Sequence, residues 1–403
     1  MDGWTFGRSG ASSPCIRPGI KYAGSVSSRL VQIRPKKLPV EQRRPKARYL
    51  AMPAGPRRWW WKWREDSRFM RLTVQLAFVA LCTWIGVEFH AFVAWGQSGG
   101  TLPFVPRPPG VEGFLPISAL MGTVHWLRTG TLNSIHPASV FILLAIVGMS
   151  LAVKKSFCGF FCPVGTLSEY LWKLGRFAFS RNLRLPKVLD LILRPLKYLL
   201  LGFFMVSILL MDGEALGRFI GSPYNRVADI KMYLFFAQIS MFPLKVLVVL
   251  AVVSLVLKNP WCRYLCPYGG LLGVLSFLSP FKITRRKATC IDCVLCTKAC
   301  PQDISVHTKK RVLSDECTGC MDCVAACPVK DTLDLRVGRF ILPGPKLVVL
   351  VVTVFLAVMG VGMLTGHWQN QIPAAEYLRR FPLLESPLYH HARGQVPDYG
   401  PGD

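Results

Sequence analysis

Apolar and polar positions in this chain come in blocks rather than in alternation. Five uncharged or nearly uncharged runs, 72–94, 137–153, 196–211, 234–257 and 347–366, stand between polar segments. Each approaches the length a helix needs to cross a hydrocarbon core of about 30 Å, and a helix satisfies its own peptide groups there. The second and third are short and are expected to tilt or to be flanked by snorkelling Lys and Arg. The first is too long for a cleaved signal peptide, and no small-x-small site follows it. The pattern predicts a mainly α, polytopic integral membrane protein.

Charge orients it. The 403 residues carry a formal charge of +27 with 51% hydrophobic residues. A nucleic-acid binder would be basic too, but would not carry runs long enough to span a bilayer, so no nucleic-acid partner is expected. The chain before Leu72 is dense in Lys and Arg, as are 154–197 and 258–346, whereas 95–136 has only Arg107 and Arg128 as basic residues. By the positive-inside rule, five crossings from a cytoplasmic N-terminus keep both basic segments inside. The expected location is a bacterial cytoplasmic (inner) membrane, with the tail 367–403 extracytoplasmic. Residues 1–68 read as a basic, disordered cytoplasmic tail. Cys15 and Cys82 lack partners at ligand spacing and read as inert.

Eight cysteines form two runs, "CIDCVLCTKACP" from Cys290 and "CTGCMDCVAACP" from Cys317. Each is C-x2-C-x2-C-x3-C-P, the bacterial two-cluster ferredoxin spacing, in which the fourth cysteine serves the other cluster. Cys290, Cys293, Cys296 and Cys327 are thus expected to hold one 4Fe–4S cluster, and Cys317, Cys320, Cys323 and Cys300 the second. Zinc sites use two pairs of ligands rather than this duplicated spacing, and disulfides are disfavoured in a reducing cytoplasm. Residues 284–340 therefore read as an inserted, cytoplasmic, ferredoxin-like α+β domain, followed by the last transmembrane helix, 346–366.

Four further cysteines form a second pattern. "CGFFCP" at Cys158 and "CRYLCP" at Cys262 superpose at an offset of 104 residues, together with Ser150/Ser254, Lys154/Lys258, Gly165/Gly269 and Leu171/Leu275. The transmembrane core 69–283 thus contains a repeat, around 137–175 and 241–279, with both copies leaving the membrane on one face. That is a parallel internal repeat about an axis along the membrane normal. It should bring Cys158 and Cys162 beside Cys262 and Cys266, with Pro163 and Pro267 opening the next helices. Helix N-termini and nearby Lys154, Lys155, Lys258 and Arg263 are expected to lower the thiol pKa values. Buried small residues are the plain alternative. The repetition of the whole motif favours redox or metal chemistry, as one metal site, two reversible disulfides or an electron relay.

Of seven histidines, His307 alone falls in the ferredoxin segment. His90, His125, His136, His367, His390 and His391 fall at or beyond the outer face. His90, His136 and His367 are candidates for a quinol or haem site, with Glu88 as a proton acceptor. Interfacial anchoring is the competing reading for each.

Two C-x3-C-P pairs followed by two ferredoxin motifs, with "FLPISALMG" from Phe114 and "TGHWQN" from Thr365, resemble the NapH/NosR/CcoG group of membrane polyferredoxins. The likeness covers roughly 72–370. It implies an electron-transfer subunit, quinol dehydrogenase-like rather than a stand-alone enzyme. Such a subunit relays electrons between the quinone pool and a respiratory or maturation redox partner. The group also implies alternatives: a copper reductase or assembly factor for a respiratory enzyme, or a redox-sensing regulator. NosR carries a flavin-binding domain before this core and CcoG an immunoglobulin-like domain after it, so the content is nearer to NapH. Expected cofactors are two 4Fe–4S clusters, with a quinone and a haem or further metal as candidates.

Overall fold

The computed structural model describes residues 67–180, 182–386 and 389. The tail up to residue 66, Cys15, His390 and His391 lie outside them. The first apolar run forms α1, Ser67–Gln97, whose 31 residues extend about 46 Å at roughly 1.5 Å per residue. Its ends are buried, at Met70, Arg71 and Gln75 and again at Phe89, Phe92 and Trp95, while Leu81, Trp84 and Val87 between them are exposed. That distribution suits a helix anchored in protein at both ends with its middle facing lipid.

After α2 (Pro116–Thr129) comes α3, Pro137–Ala152, only 16 residues long. It is buried on every side, through Ala138, Val140, Ala145, Ile146 and Met149. An all-round apolar helix belongs in a core, so this run serves as a central post. The one-turn α4, Ser156–Phe160, precedes α5, Pro163–Phe179; α6, Lys187–Leu193, and α7, Leu196–Leu209, follow. The short α8, Gly213–Gly221, and α9, Pro223–Arg226, lead to α10, Ala228–Ala237, and α11, Met241–Val256.

Five crossings are expected from the apolar runs, and one of them, Pro137–Ala152, is a shorter apolar helix. Three segments, Ser67–Gln97, Val188–Leu209 and Gly344–Leu364, are long and apolar enough to span, or four if α10 and α11 together make one bent span. The run 234–257 is not one helix: α10 and α11 meet at 77°. Gln238 ends the first, and Ser240 opens the second with an extended backbone. Pro243, in the first turn of α11, needs no amide partner there but could not continue a helix from upstream.

The two C-x3-C-P segments pack crosswise. Ser150 Oγ on α3 donates to the Leu272 carbonyl on α12, Pro267–Leu275, at 2.8 Å. On the other side α5 meets α11 at Gly175, where a Cβ would stand 1.7 Å from the Leu255 carbonyl oxygen, so no other residue fits. The helix before each motif thus rests on the helix after the other.

The cysteine-rich head is small. Strands β1 (Lys282–Arg285), β2 (Leu333–Val337) and β3 (Phe340–Ile341) form an antiparallel sheet in that order, with Ile283 opposite Leu335. Two one-turn helices, α13 (Leu295–Ala299) and α14 (Asp322–Ala325), pack on each other beside it. The chain then enters α15, Gly344–Leu364, which lies against α1 and α3; Gly362 meets the Phe141 ring. A last short helix, α16 (Ala374–Arg380), covers the far end of α1.

Candidate functional site

The head holds two cavities of about 350 and 360 Å³ of empty space. Cys300, Cys317, Cys320 and Cys323 line the first, and Cys290, Cys293, Cys296 and Cys327 line the second. Each cavity therefore takes three thiols from one motif and the fourth from the other. The loops are strained to do this. Asp292 and Gly319 share one position in the two motifs, and Val294 and Met321 another, and all four have positive φ. For a β-branched valine that backbone is a costly outlier, of the kind that persists where surrounding structure demands it.

Four thiols line each cavity, a donor set that fits an iron–sulfur cube; His307, which also lines the outer cavity, has its Nδ1 2.8 Å from the Thr297 hydroxyl. Among the described residues no three His, Cys, Asp or Glu side chains converge as they would around a single metal ion. Burial pushes Cys300 up to about 12 and Cys327 to about 11. Thiols in such surroundings keep their protons until a metal displaces them.

The two cavities differ in depth. Cys300, Cys317, Cys320 and Cys323 are buried, whereas Cys290, Cys293, Cys296 and Cys327 are half-buried. The inner cavity is clamped to the helices. Lys155 Nζ donates to Glu316 Oε2 at 3.0 Å, and Lys197 joins the same carboxylate and that of Asp315. Burial alone would raise the Asp315 carboxyl, yet the Tyr198 hydroxyl and Lys197 ammonium hold it at about 2. Arg71 of α1 donates to the Gly159 carbonyl and to Asp322, which stands between Cys320 and Cys323, and pairs also with Glu169. From the second repeat, Lys258 Nζ donates to the Cys300 carbonyl and Asn259 to that of Pro301.

Cys162 and Cys266 cap α5 and α12, their sulfurs accepting from the Gly165 and Gly269 amides at 3.4 and 3.3 Å. The helix starts expected at Pro163 and Pro267 are present. Cys158 feels the charge of Cys162 and Cys266, and Cys262 that of all three, so the four thiols form one group. The Phe157 and Tyr268 rings bridge the two motifs at 6.5 Å. The expected fall in thiol pKa does not occur. Burial outweighs the capping amides and Lys155, raising Cys158, Cys262 and Cys266 and bringing Cys162 to about 11. Cys82, read as inert, lies within electrostatic reach of Cys162, a proximity that lone placement in an apolar run could not announce.

The histidines separate. His136 is wholly buried, its Nδ1 3.3 Å from Arg107 and its Nε2 2.6 Å from the Asn225 carbonyl. Arg107 also pairs with Glu112 and Asp229. Both nitrogens of His136 are thus engaged within a buried ion network. His90 is exposed, its Nδ1 2.5 Å from the Tyr233 hydroxyl, and His367 is exposed beyond α15.

A family model described as a 4Fe-4S binding domain matches residues 135–182 and again 240–286. One described as a 4Fe-4S dicluster domain matches 284–335. The putative electron transport protein YccM of Escherichia coli is 42% identical over 82% of this chain and 94% of its own length. The chain belongs to the NosR/NirI-type polyferredoxin-like iron–sulfur proteins. More distant members include the regulatory protein NosR of Pseudomonas aeruginosa, 29% identical over 46% of this chain and 25% of NosR. The methylamine utilization ferredoxin-type protein MauN of Methylorubrum extorquens is 26% identical over 70% of this chain and 91% of MauN. No solved structure matches the chain. An iron–sulfur electron-transfer role follows from this membership and from the cysteine-lined cavities.

Proposed function

We propose that the chain is a membrane-bound electron relay between the quinone pool and a redox partner, with its head in the cytoplasm of a bacterial inner membrane. What carries this reading is the series of thiol groups: the repeat thiols beside the helices, then the buried cavity, then the half-buried one. Cys300, Cys317, Cys320 and Cys323 would hold the inner 4Fe–4S cluster, and Cys290, Cys293, Cys296 and Cys327 the outer. Clusters so bound exchange single electrons. Cys158, Cys162, Cys262 and Cys266 we assign to redox or metal chemistry shared between two parallel repeats, since each copy brings only two thiols.

The residues between these groups fix their spacing. Lys155 binds Glu316, next to Cys317, and its charge also reaches Cys158, Cys262 and Cys266, so one ammonium faces both the repeat thiols and the inner cavity. Phe157, Phe160 and Phe161 pack around the same region and exclude water from it. At the far end, His90 and the Tyr233 hydroxyl are the groups we assign to a quinone head, able to pass a proton between them.

Iron analysis and low-temperature spin spectroscopy of the purified protein should give about eight irons in two reduced 4Fe–4S signals. A ubiquinol or menaquinol analogue should reduce them in membranes. A protein with intact clusters that no quinol reduces would end the quinone-linked reading. Reduction of Cu(II) that depends on Cys158 would favour the metal reductase instead.

A further inference from the structure

The charges of the head are sorted by direction. Of the acids in 284–340, Asp315, Glu316 and Asp322 pair with Lys155, Lys197 or Arg71 of the helical core, and Asp303 pairs with Arg184. Asp292 and Asp334 pair with Arg285 and Arg336 inside the head. Among the described residues, Asp331 is the one acid of this segment outside an ion pair. Lys287, Lys298, Lys309, Lys310 and Lys330 are all exposed and, among the described residues, form no ion pair.

These five lysines stand around the outer cavity. The Lys287 carbonyl accepts from the Cys290 amide, and Lys298 follows Cys296 on α13. The Lys309 and Lys310 carbonyls accept from Arg285, which lines the cavity, and Lys330 follows Val329, which lines it too. Ile291 of the cysteine loop, which lines the same cavity, is 40% exposed. An apolar centre inside a charged rim is the anatomy of a protein interface. A lipid surface would instead be met by bases beside the spanning helices.

We infer that this ring is the docking site of a small acidic electron-carrier protein, which exchanges one electron with the centre in the outer cavity. The inference rests on the relay reading above and names the partner class for its outer end. The transfer is balanced: the reduced carrier loses one electron, the outer centre gains it, and no bond or proton changes hands. The ring steers the carrier to the shallowest cysteine set, where the transfer distance is shortest. Such steering raises association rates about tenfold or more at low salt and fades as the Debye length shrinks.

The test uses the full chain in neutral-lipid nanodiscs, with a photoreduced, acidic plant-type ferredoxin as the probe and stopped-flow absorbance as the readout. The rate should fall steeply with ionic strength. In Lys287→Glu/Lys298→Glu/Lys310→Glu protein it should fall about tenfold or more at low salt, with iron content, spin signal and reduction by dithionite unchanged. A salt-independent rate, or a triple variant as fast as the parent, overturns the inference and leaves the relay intact. So does a loss seen only when the discs contain anionic lipid, which would assign the lysines to the membrane surface. Absence of clusters in the parent protein overturns the relay and the docking site together.

Discussion

Lys155 and Glu316 meet as a buried ion pair, Nζ to Oε2 at 3.0 Å, with side chains 3% and 2% exposed. One residue follows a repeat helix and precedes Cys158 by three; the other precedes Cys317 by one. The pair therefore ties the repeat thiols to the inner cavity. Removing Lys155 leaves the buried Glu316 carboxylate to Lys197, so the cost should fall below the about 3–5 kcal/mol of a buried charge with no partner. Lys155→Met should accordingly lower the thermal midpoint and make the head sensitive to protease. Lys155→Arg, which keeps the charge, should do much less. Limited proteolysis with a melting curve would decide it.

The crossed cavities predict an unequal response to cysteine loss. Cys300→Ser alters the first motif but should abolish the inner centre, whose other ligands lie in the second motif. Iron content should drop by about half, with the remaining spin signal belonging to the more solvent-exposed cluster. Cys296→Ser should spare the inner centre. Loss of the same signal in both variants would refute the crossing.

Cys158→Ala and Cys262→Ala should behave alike, although 104 residues separate them. Each takes one thiol from the same group of four, so both should keep the head's iron while stopping reduction by quinol. If one variant were active and the other dead, the two pairs would be separate sites.

Arg71 joins α1 to the first repeat and the head through Gly159, Glu169 and Asp322. Arg71→Met would leave Glu169 to Lys173 and Asp322 to Arg68, and should destabilise by less than the about 3–5 kcal/mol of a buried charge left unpaired. Arg71→Lys should recover only part of this, because an ammonium cannot reproduce the planar fork. Denaturant titration of the detergent-solubilised protein measures both.

Gly175→Ala should separate α5 from α11, since the added carbon would lie 1.7 Å from the Leu255 carbonyl oxygen. Overpacking of this kind costs about 1–3 kcal/mol or more. Gly202→Ala, where nothing lies within 4 Å, should be neutral or stabilising and serves as the control in the same melting assay.

Cysteine spacing anticipated which thiols line each cavity, because a tight loop leaves a cysteine run little freedom. Pro163 and Pro267 likewise announced helix starts, since their fixed φ suits that position alone. Apolar run length was a poorer guide. Residues 137–153 look like their neighbours in composition, but α3 is largely buried, and the bend at Gln238–Ser240 comes from non-helical backbone there rather than from hydropathy. The thiol pKa values were misjudged because charge near a cysteine is visible in sequence whereas burial is not. Val294 and Met321 gave no sign of their left-handed backbones, being residue types that avoid them. His136 resembled a free interfacial histidine until Arg107, Glu112, Asp229 and Asn225, distant in sequence, closed around it.

The crosswise seating of the two repeats bears on how the protein is made. Neither copy can be completed alone, because each waits for a helix that emerges from the ribosome roughly a hundred residues away. The four repeat thiols face one another only after α12 has been inserted against α3. The inner cavity, held by Lys155 and Lys258 from the two copies, closes later still. Metal loading is then the last act of biogenesis, and a chain truncated within α11 should enter the membrane yet stay colourless.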